Sequence, residues 1–322
     1  MFLENPVKVK AGTEAHAMQA FLQVVIAGLV TGSLYGLLAL GIVLIYRTTG
    51  VLNFAYGAIA ALCTCFLWVL VTGPKLNFWL ALPITALFAL LVGMALERGF
   101  ARPVLHAPVL TRAIATLALA LVLETLAQAL WPQLAEVQHF STPLEGKALS
   151  PGGLYISAID IVILAVTALV MLALHLFLTR TRLGIAMRAM ADNLSATRLM
   201  GASVGGISLL VWALSALVAA LSGILFAAQQ ELIDVQFMDP VLLLAFVAAV
   251  LGGMDSLPGA LLGGILIGLV DNLLAYLLAG HSIGLLNISD PAIREALIFG
   301  GFVLVLLFRP RGLRGRALLR RV

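Results

Sequence analysis

Gly201, Ser203 and Gly205 form a GxSxG string, the spacing that presents an activated serine on a sharp strand-to-helix turn. Here the string follows an arginine-rich segment and opens an apolar run. It therefore reads as Gly201 ending one helix while Gly205 and Gly206 start another. The five histidines, His16, His106, His139, His175 and His281, lie far apart without metal-ligand spacing. Cys63 and Cys65 are separated by one residue and point in different directions on a helix, so neither a disulfide framework nor a zinc site follows. The phosphate-binding pattern GxxxxGK[ST] is absent: Gly146 and Lys147 are followed by Ala148. The expectation is a chain without a catalytic centre, metal or cofactor of its own. Two carboxylates are the remaining candidates. Glu124 and Asp271 fall inside apolar runs, where a charge at a helix centre costs about 2.5–3.5 kcal/mol. Each needs a partner or a cavity, and no basic residue at matching depth is evident in the sequence.

The elements that carry these residues follow from composition. The 322 residues are 62% hydrophobic and 11% charged, with a mean hydropathy of +1.11. Soluble domains carry about 45–50% apolar and about 25% charged residues, so a water-soluble globular protein is excluded. A β-barrel is excluded as well, because its strands alternate polar with apolar residues, whereas the apolar stretches here are unbroken. The net charge of +4 is spread between apolar runs rather than gathered into a stripe, so no nucleic-acid interface is expected.

The expected fold is all-α: a polytopic membrane protein with about eight to nine transmembrane helices, some broken or re-entrant. Runs free of charged residues cover 15–46, 48–74, 76–96, 161–179 and 199–230. Further spans are expected at 113–135 around Glu124, in two pieces between 241 and 279, and at 293–308. The piece 241–253 is short enough to re-enter, which would make eight crossings instead of nine. In a nine-span arrangement all of the 19 Lys and Arg except Lys8, Lys10, Lys75, Lys147 and Arg294 fall on one side. Positively charged loops stay in the cytoplasm, so the C-terminus is expected inside and the N-terminus outside. The first run reads as a retained anchor and 132–157 as an external loop.

Three segments carry functional signal. In 179–203, Met187, Met190, Leu194 and Ile185 recur near helical spacing, while Arg188 and Asp192 stand four apart and can pair. Two readings stay open: a surface helix held to anionic membrane lipid by arginines, or a docking helix for a cytoplasmic partner. Gly28, Gly32 and Gly36 share one helical face, where small residues admit a close neighbour. Finally, RTTGVLNFAYG and the stretch around Gly252, Gly253, Pro258 and Gly259 interrupt the two halves of the chain. Paired interruptions at membrane depth point to a transport path.

The strings GSLYGLLALGIVLIYRTTGVLNFAYGAIA, LERGFARPV, TRLGIAMRAMADNLSATRLMGAS and AAVLGGMDSLPGALLGGILIG resemble, in order and spacing, the membrane subunits of branched-chain amino-acid importers of the LivH type. The resemblance runs from about Gly28 to the FRPRGL end and implies a single permease domain over 1–322 with a coupling loop at 179–203. It implies a bacterial inner-membrane subunit of an ATP-driven importer. The implied partners are a second, LivM-like permease, two cytoplasmic ATP-binding subunits and a periplasmic substrate-binding protein. Arg188, Ala189, Asp192, Leu194 and Gly201 stand in the positions of the family's coupling helix, which favours the docking reading. Asn53, Phe54, Ala55 and Gly57 match the family's NFAHG string, with Tyr56 in place of the usual His. Asp255 stands where Gly is common. These departures bear on the solute, since relatives carry urea, short amides or other small carboxylates. Asn53, Phe54 and Tyr56, with Glu124, are the expected lining of the path. The rival class is a self-sufficient proton- or sodium-coupled secondary transporter built around Glu124 and Asp271.

Overall fold

The computed structural model describes residues 6–104, 107–150, 153–192, 197, 203–279, 282–283, 286–287 and 290–308, with the backbone alone at 6–17, 192, 282–283 and 286–287. The helices are α1 Pro6–Thr49, α2 Tyr56–Thr72, α3 Phe78–Leu96, α4 Val109–Leu130, α5 Ala158–Arg180, α6 Arg182–Asp192, α7 Val204–Gln230, α8 Asp239–Gly252, α9 Leu257–Leu278 and α10 Pro291–Phe308. Seven of them are long and apolar enough to cross a membrane. The apolar helices α2 and α8 are shorter, at 17 and 14 residues. All nine expected apolar runs are therefore helical, and the chain is a polytopic helical membrane protein. Lipid offers no partner to a free amide or carbonyl, so runs of Leu, Ala, Val and Ile close their hydrogen bonds within each helix.

The centre of the molecule is α1, buried along Val30–Ile45 and packed against α9, α7, α8 and α5. Its seam with α9 is made by glycine. Gly28, Gly32 and Gly36 lie against Leu269, Ile265 and Leu261, while Gly264 and Gly268 lie against Gly36 and Gly32. A Cβ on Gly32 would stand 2.7 Å from the Ile265 Cα, so the two backbones touch with no side chain between them. The glycine face expected to admit a neighbouring helix does so. On the other flank Gly93 of α3 meets the backbone of Trp212 and Ala213 in α7. The outward faces of α3, α4, α5 and α10 carry exposed leucines and valines, including Leu87, Leu121, Leu169 and Leu304.

The two ends differ chemically. At one end Arg47, Arg188 and Asp255 line a common cavity, Arg112 approaches Gly50, and Arg102 approaches Gly205. The opposite end is closed by short strands: β1 Gln138–His139 pairs with β4 Leu232–Ile233, and β2 Ala148–Leu149 pairs with β3 Ile156–Ser157. The connection 132–157 is tied down there. Trp68 Nε1 donates to the His139 carbonyl at 2.9 Å, and Gln23 exchanges two hydrogen bonds with Tyr155.

Two buried carboxylates have partners that the sequence did not offer. Asp271 Oδ1 lies 2.7 Å from Arg294 Nε, and its Oδ2 accepts from the Tyr35 hydroxyl at 3.0 Å. The reading that no cation matches Asp271 is thus corrected: α10 begins beside the last turns of α9 and lowers Arg294 to it. At the arginine end α3 widens into a π-turn, Glu97–Ala101. There the buried Glu97 is held by Arg102, with Nη2 3.1 Å from Oε2. Arg102 also reaches the Gly205 carbonyl at 3.5 Å, linking the end of α3 to the start of α7.

Candidate functional site

The first interruption has the form expected of a broken helix. α1 stops at Thr49, and Gly50 takes a φ of +67°, a left-handed turn that glycine adopts without strain. Residues 51–55 then turn back into the protein. Thr116 of α4 clamps them: its hydroxyl lies 3.1 Å from the Leu52 carbonyl and accepts the Phe54 N–H at 3.2 Å. Asn53 Oδ1 accepts the Ala55 N–H at 3.1 Å, an Asx turn that launches α2. The Asn53 side chain is buried, and its Nδ2 has no hydrogen-bond partner.

Tyr56 fixes how deep this break sits. Its hydroxyl donates to the Ser215 carbonyl at 2.7 Å, and Ser215 Oγ donates to the Gly41 carbonyl at 2.9 Å. Ser215 lies near the middle of α7, so α2 begins roughly halfway through the molecule. The Tyr56 ring occupies the space that a Cβ on Gly41 would need. Of the four residues expected along the path, Phe54 is half-buried and its ring lies tilted against Phe246 of α8, centroids 4.8 Å apart. Tyr56 is wholly enclosed and holds the break rather than presenting a surface.

The second break is not where the sequence reading put it. The stretch 252–259 is a tight hairpin turn at the arginine end: Gly253 takes a φ of +101°, and Gly252 and Gly259 lie backbone to backbone. Small residues at the hairpin's base let α8 and α9 close on each other, which explains the glycine density without a mid-membrane interruption. The break is at 231–238 instead. From β4 the chain descends beside α2, with the Asp234 carbonyl 3.9 Å from Cys65 Sγ and Met238 and Leu242 against Gly57. Then α8 begins at Asp239. At about 1.5 Å per residue its 14 residues extend about 21 Å, short of the ~30 Å hydrocarbon core. Helices α2 and α8 thus both start inside the molecule, and their starts meet at Gly57, Met238 and Leu242. Amide groups at such starts aim partial positive charge into the interior.

Glu124 of α4 faces this second break, with Gln236 hydrogen-bonding its side chain and the Asp239 carboxylate nearby. An adjoining cavity of about 440 Å³ is lined by Gln128, Leu134, Asp234, Gln236, Phe237 and Pro240. The structure therefore brings Asn53, Phe54 and Tyr56 together at one break and sets Glu124 over the other. Sequence reasoning missed Thr116, Ser215, Phe246 and the descending segment 231–238. The clue to the last was the polar stretch just before a short apolar run.

In α6 Met187 and Met190 are buried against the rest of the chain. The methionine face is spent internally, and the outward face carries Leu183, Ile185 and Ala189. Arg188 turns toward the arginine-end cavity, and its Nε is buried without a hydrogen-bond partner. Asp192 ends α6, and its expected pairing with Arg188 falls on a side chain outside the described residues, as do Leu194 and Gly201 entirely. Ser203 directly precedes α7, with Gly205 and Gly206 in its first turn, so the GxSxG string sits at a helix start.

The chain matches the family model described as branched-chain amino acid transport system / permease component over residues 24–307. It is 31% identical over 308 residues to the high-affinity branched-chain amino acid transport system permease protein BraD of Pseudomonas aeruginosa, covering 92% of this chain and 96% of that one. It is 28% identical over 312 residues to LivH of Escherichia coli, a permease protein of the same description, with the same two coverages. The autoinducer 2 import system permease protein LsrC of Yersinia pestis is 30% identical over 254 residues, 75% of this chain and 67% of that one. Among solved structures, PsaBC from Streptococcus pneumoniae in complex with Fab aligns over 90% of this chain and 92% of that chain, with a TM-score of 0.46 and 16% identity.

Proposed function

The chain belongs to the branched-chain amino acid transport system / permease component family, and from that premise we propose that it is the membrane-spanning permease subunit of an ATP-driven importer. The cargo is a branched-chain amino acid or a related small amide or carboxylate such as urea, moved across the bacterial inner membrane by alternating access. The observation that carries this reading is the pair of helices α2 and α8, both of which start inside the molecule with their starts in contact. Irregular backbone of this kind is tolerated where it is packed in protein or lines a water-filled cavity. Half-helix starts also supply the positive ends that favour an anionic group such as a carboxylate.

In this reading the path passes Asn53, Phe54 and Glu124, with Tyr56 holding the first break. The unpartnered Nδ2 of Asn53 is a donor available to a solute oxygen once the site opens. ATP is hydrolysed on two separate cytoplasmic subunits, since the chain has no phosphate-binding string. Their stroke enters through 179–203, where Leu183, Ile185 and Ala189 point outward and Arg188 points in. A second, LivM-like permease completes the path, and a periplasmic binding protein delivers the solute. The arginine end, with the C-terminus, faces the cytoplasm, as the retention of positive loops favours. A conformational equilibrium moves only through differential binding to its states, so selectivity rests mostly with the binding protein.

The test is to tag the chain in its native membrane, solubilise gently, and assay what co-purifies and whether the material hydrolyses ATP. Two ATP-binding subunits and a second permease are expected. A lone polypeptide without ATPase activity, whose uptake follows a proton or sodium gradient, would replace this reading with that of a self-sufficient secondary transporter.

A further inference from the structure

A cavity of about 260 Å³ at the arginine end has no part in the path described above. It is walled by the end of α1, the last turns of α5, the inward face of α6 and the first turn of α9. Its charged residues are Arg47, Arg188 and Asp255, accompanied by His175 and Thr179, with Met171 deeper along α5. Among the described residues none of the three charged side chains makes an ion pair, although Arg188 Nε is buried without a partner. Asp255 is exposed and Arg47 half-buried, so the desolvation cost that a complementary ligand would relieve falls on the buried Arg188 Nε.

The complement of two guanidiniums beside one carboxylate is a zwitterion: an anion able to accept from both arginines, and an ammonium able to donate to Asp255. The position selects the source. The cavity is lined by Met171, His175 and Leu178 of α5, and the neighbouring α5 residues Leu169, Leu172 and Leu176 are exposed and apolar, as a surface against acyl chains must be. It lies at the end that carries the arginines, at the level of headgroups rather than on the face where α2 meets α8. Basic pockets between spans on this side of a membrane suit lipid phosphates. We propose that this cavity holds the headgroup of an aminophospholipid of the phosphatidylethanolamine class, with the phosphate on Arg47 and Arg188, the primary ammonium on Asp255, and an acyl chain running past Met171 along α5. Such a lipid ties the coupling helix α6 to α1 and to the α8–α9 turn.

The test uses the full chain with its co-purifying subunits in nanodiscs of equal phosphatidylethanolamine and phosphatidylcholine, followed by mild delipidation and mass spectrometry of the retained lipid. A quaternary ammonium donates no hydrogen bond, so phosphatidylethanolamine is expected to be retained about tenfold over phosphatidylcholine, the effect of one charge-assisted bond. D255N is expected to return that ratio to the bath value while D255E keeps it. R47Q is expected to reduce the total lipid retained, and R98Q, at an exposed arginine of the same end, to leave both readings unchanged. The proposal is overturned if D255N retains the wild-type ratio, if R98Q acts as R47Q does, or if millimolar leucine displaces the retained lipid. The last result would make the cavity a site for free amino acid.

Discussion

Asp271 and Arg294 offer a quantitative test of whether a buried charge in this chain serves structure or transport. Asp271 is 8% exposed at its side chain and Arg294 is 30% exposed, with 2.7 Å between Oδ1 and Nε. At an effective dielectric of ~20, unit charges ~4 Å apart attract by about 4 kcal/mol, before desolvation is subtracted. The two single changes are not equivalent. R294Q strands a carboxylate that keeps only the Tyr35 hydroxyl as partner, and stranding a buried charge costs about 3–5 kcal/mol. The low end, about 3 kcal/mol, is expected because the outer edge of this site is partly open. D271N leaves an arginine that can turn its head toward water, as long basic side chains near helix ends do, so about 1–2 kcal/mol is expected. The double variant removes both charges and is expected to cost about 2 kcal/mol, well under the sum of the singles. Reversible unfolding of the purified chain in mixed micelles, run as a double-mutant cycle, measures this directly. Additivity of the two singles to within about 0.5 kcal/mol would refute the pairing. A D271N protein of unchanged stability that has lost gradient-driven uptake would instead make Asp271 a carrier of protons.

Other outcomes follow from features already described. G32A places a methyl against the Ile265 backbone at 2.7 Å and is expected to destabilise by about 2 kcal/mol, whereas G301A, with nothing within 4 Å, leaves the thermal midpoint unchanged; equal midpoints would dissolve the seam argument. R102Q strands Glu97, 1% exposed at its side chain, and is expected to lower the midpoint more than E97Q, which frees an arginine already half in water; the reverse order in a thermal scan would contradict the assignment. D192R is expected to uncouple ATP-driven uptake while leaving expression intact, and unchanged uptake in proteoliposomes would remove 179–203 from the coupling surface. At the opposite end Glu145 is held below the usual carboxylate range by the Ser141 hydroxyl and by His139. A depressed carboxylate stabilises at neutral pH and loses that contribution as pH falls through its folded value. Protection of the 138–150 amides, taken relative to their intrinsic base-catalysed exchange at each pH, is therefore expected to fall on acidification, and protection that does not change with pH would contradict it.

The helices were legible because lipid leaves an apolar run little choice: every one of the nine runs is helical, and the Gly28, Gly32, Gly36 face meets a helix as its spacing implies. What escaped the sequence was depth. Asp271 and Arg294 are 23 positions apart, and only the approach of α10 to the end of α9 reveals them as partners, with Tyr35 arriving from the far end of the chain. Glu97 looked like the polar residue that ends a span, yet the π-turn folds it inward. The glycines at 252–259 promised an interruption and made a hairpin, because small residues admit a backbone neighbour as readily as they admit a break. The true break at 231–238 has no glycine. Asn53 and Phe54 were singled out by their string, but nothing in that string discloses Thr116 or Ser215, which hold the break from two other helices.

The glycine seam between α1 and α9 has a mechanical consequence. Side chains that interdigitate can slide by hopping between rotamers, and such a joint absorbs part of any displacement. Here the joint is largely backbone on backbone over about two turns, from Gly28 to Gly36, with little side chain to exchange rotamers. The two helices therefore form one stiff beam about 30 Å long on a ~1.5 Å rise per residue, with its arginine end beside Arg188. A push delivered there is expected to reach the Asp271 end little diminished, so bending during transport is expected outside this pair of helices.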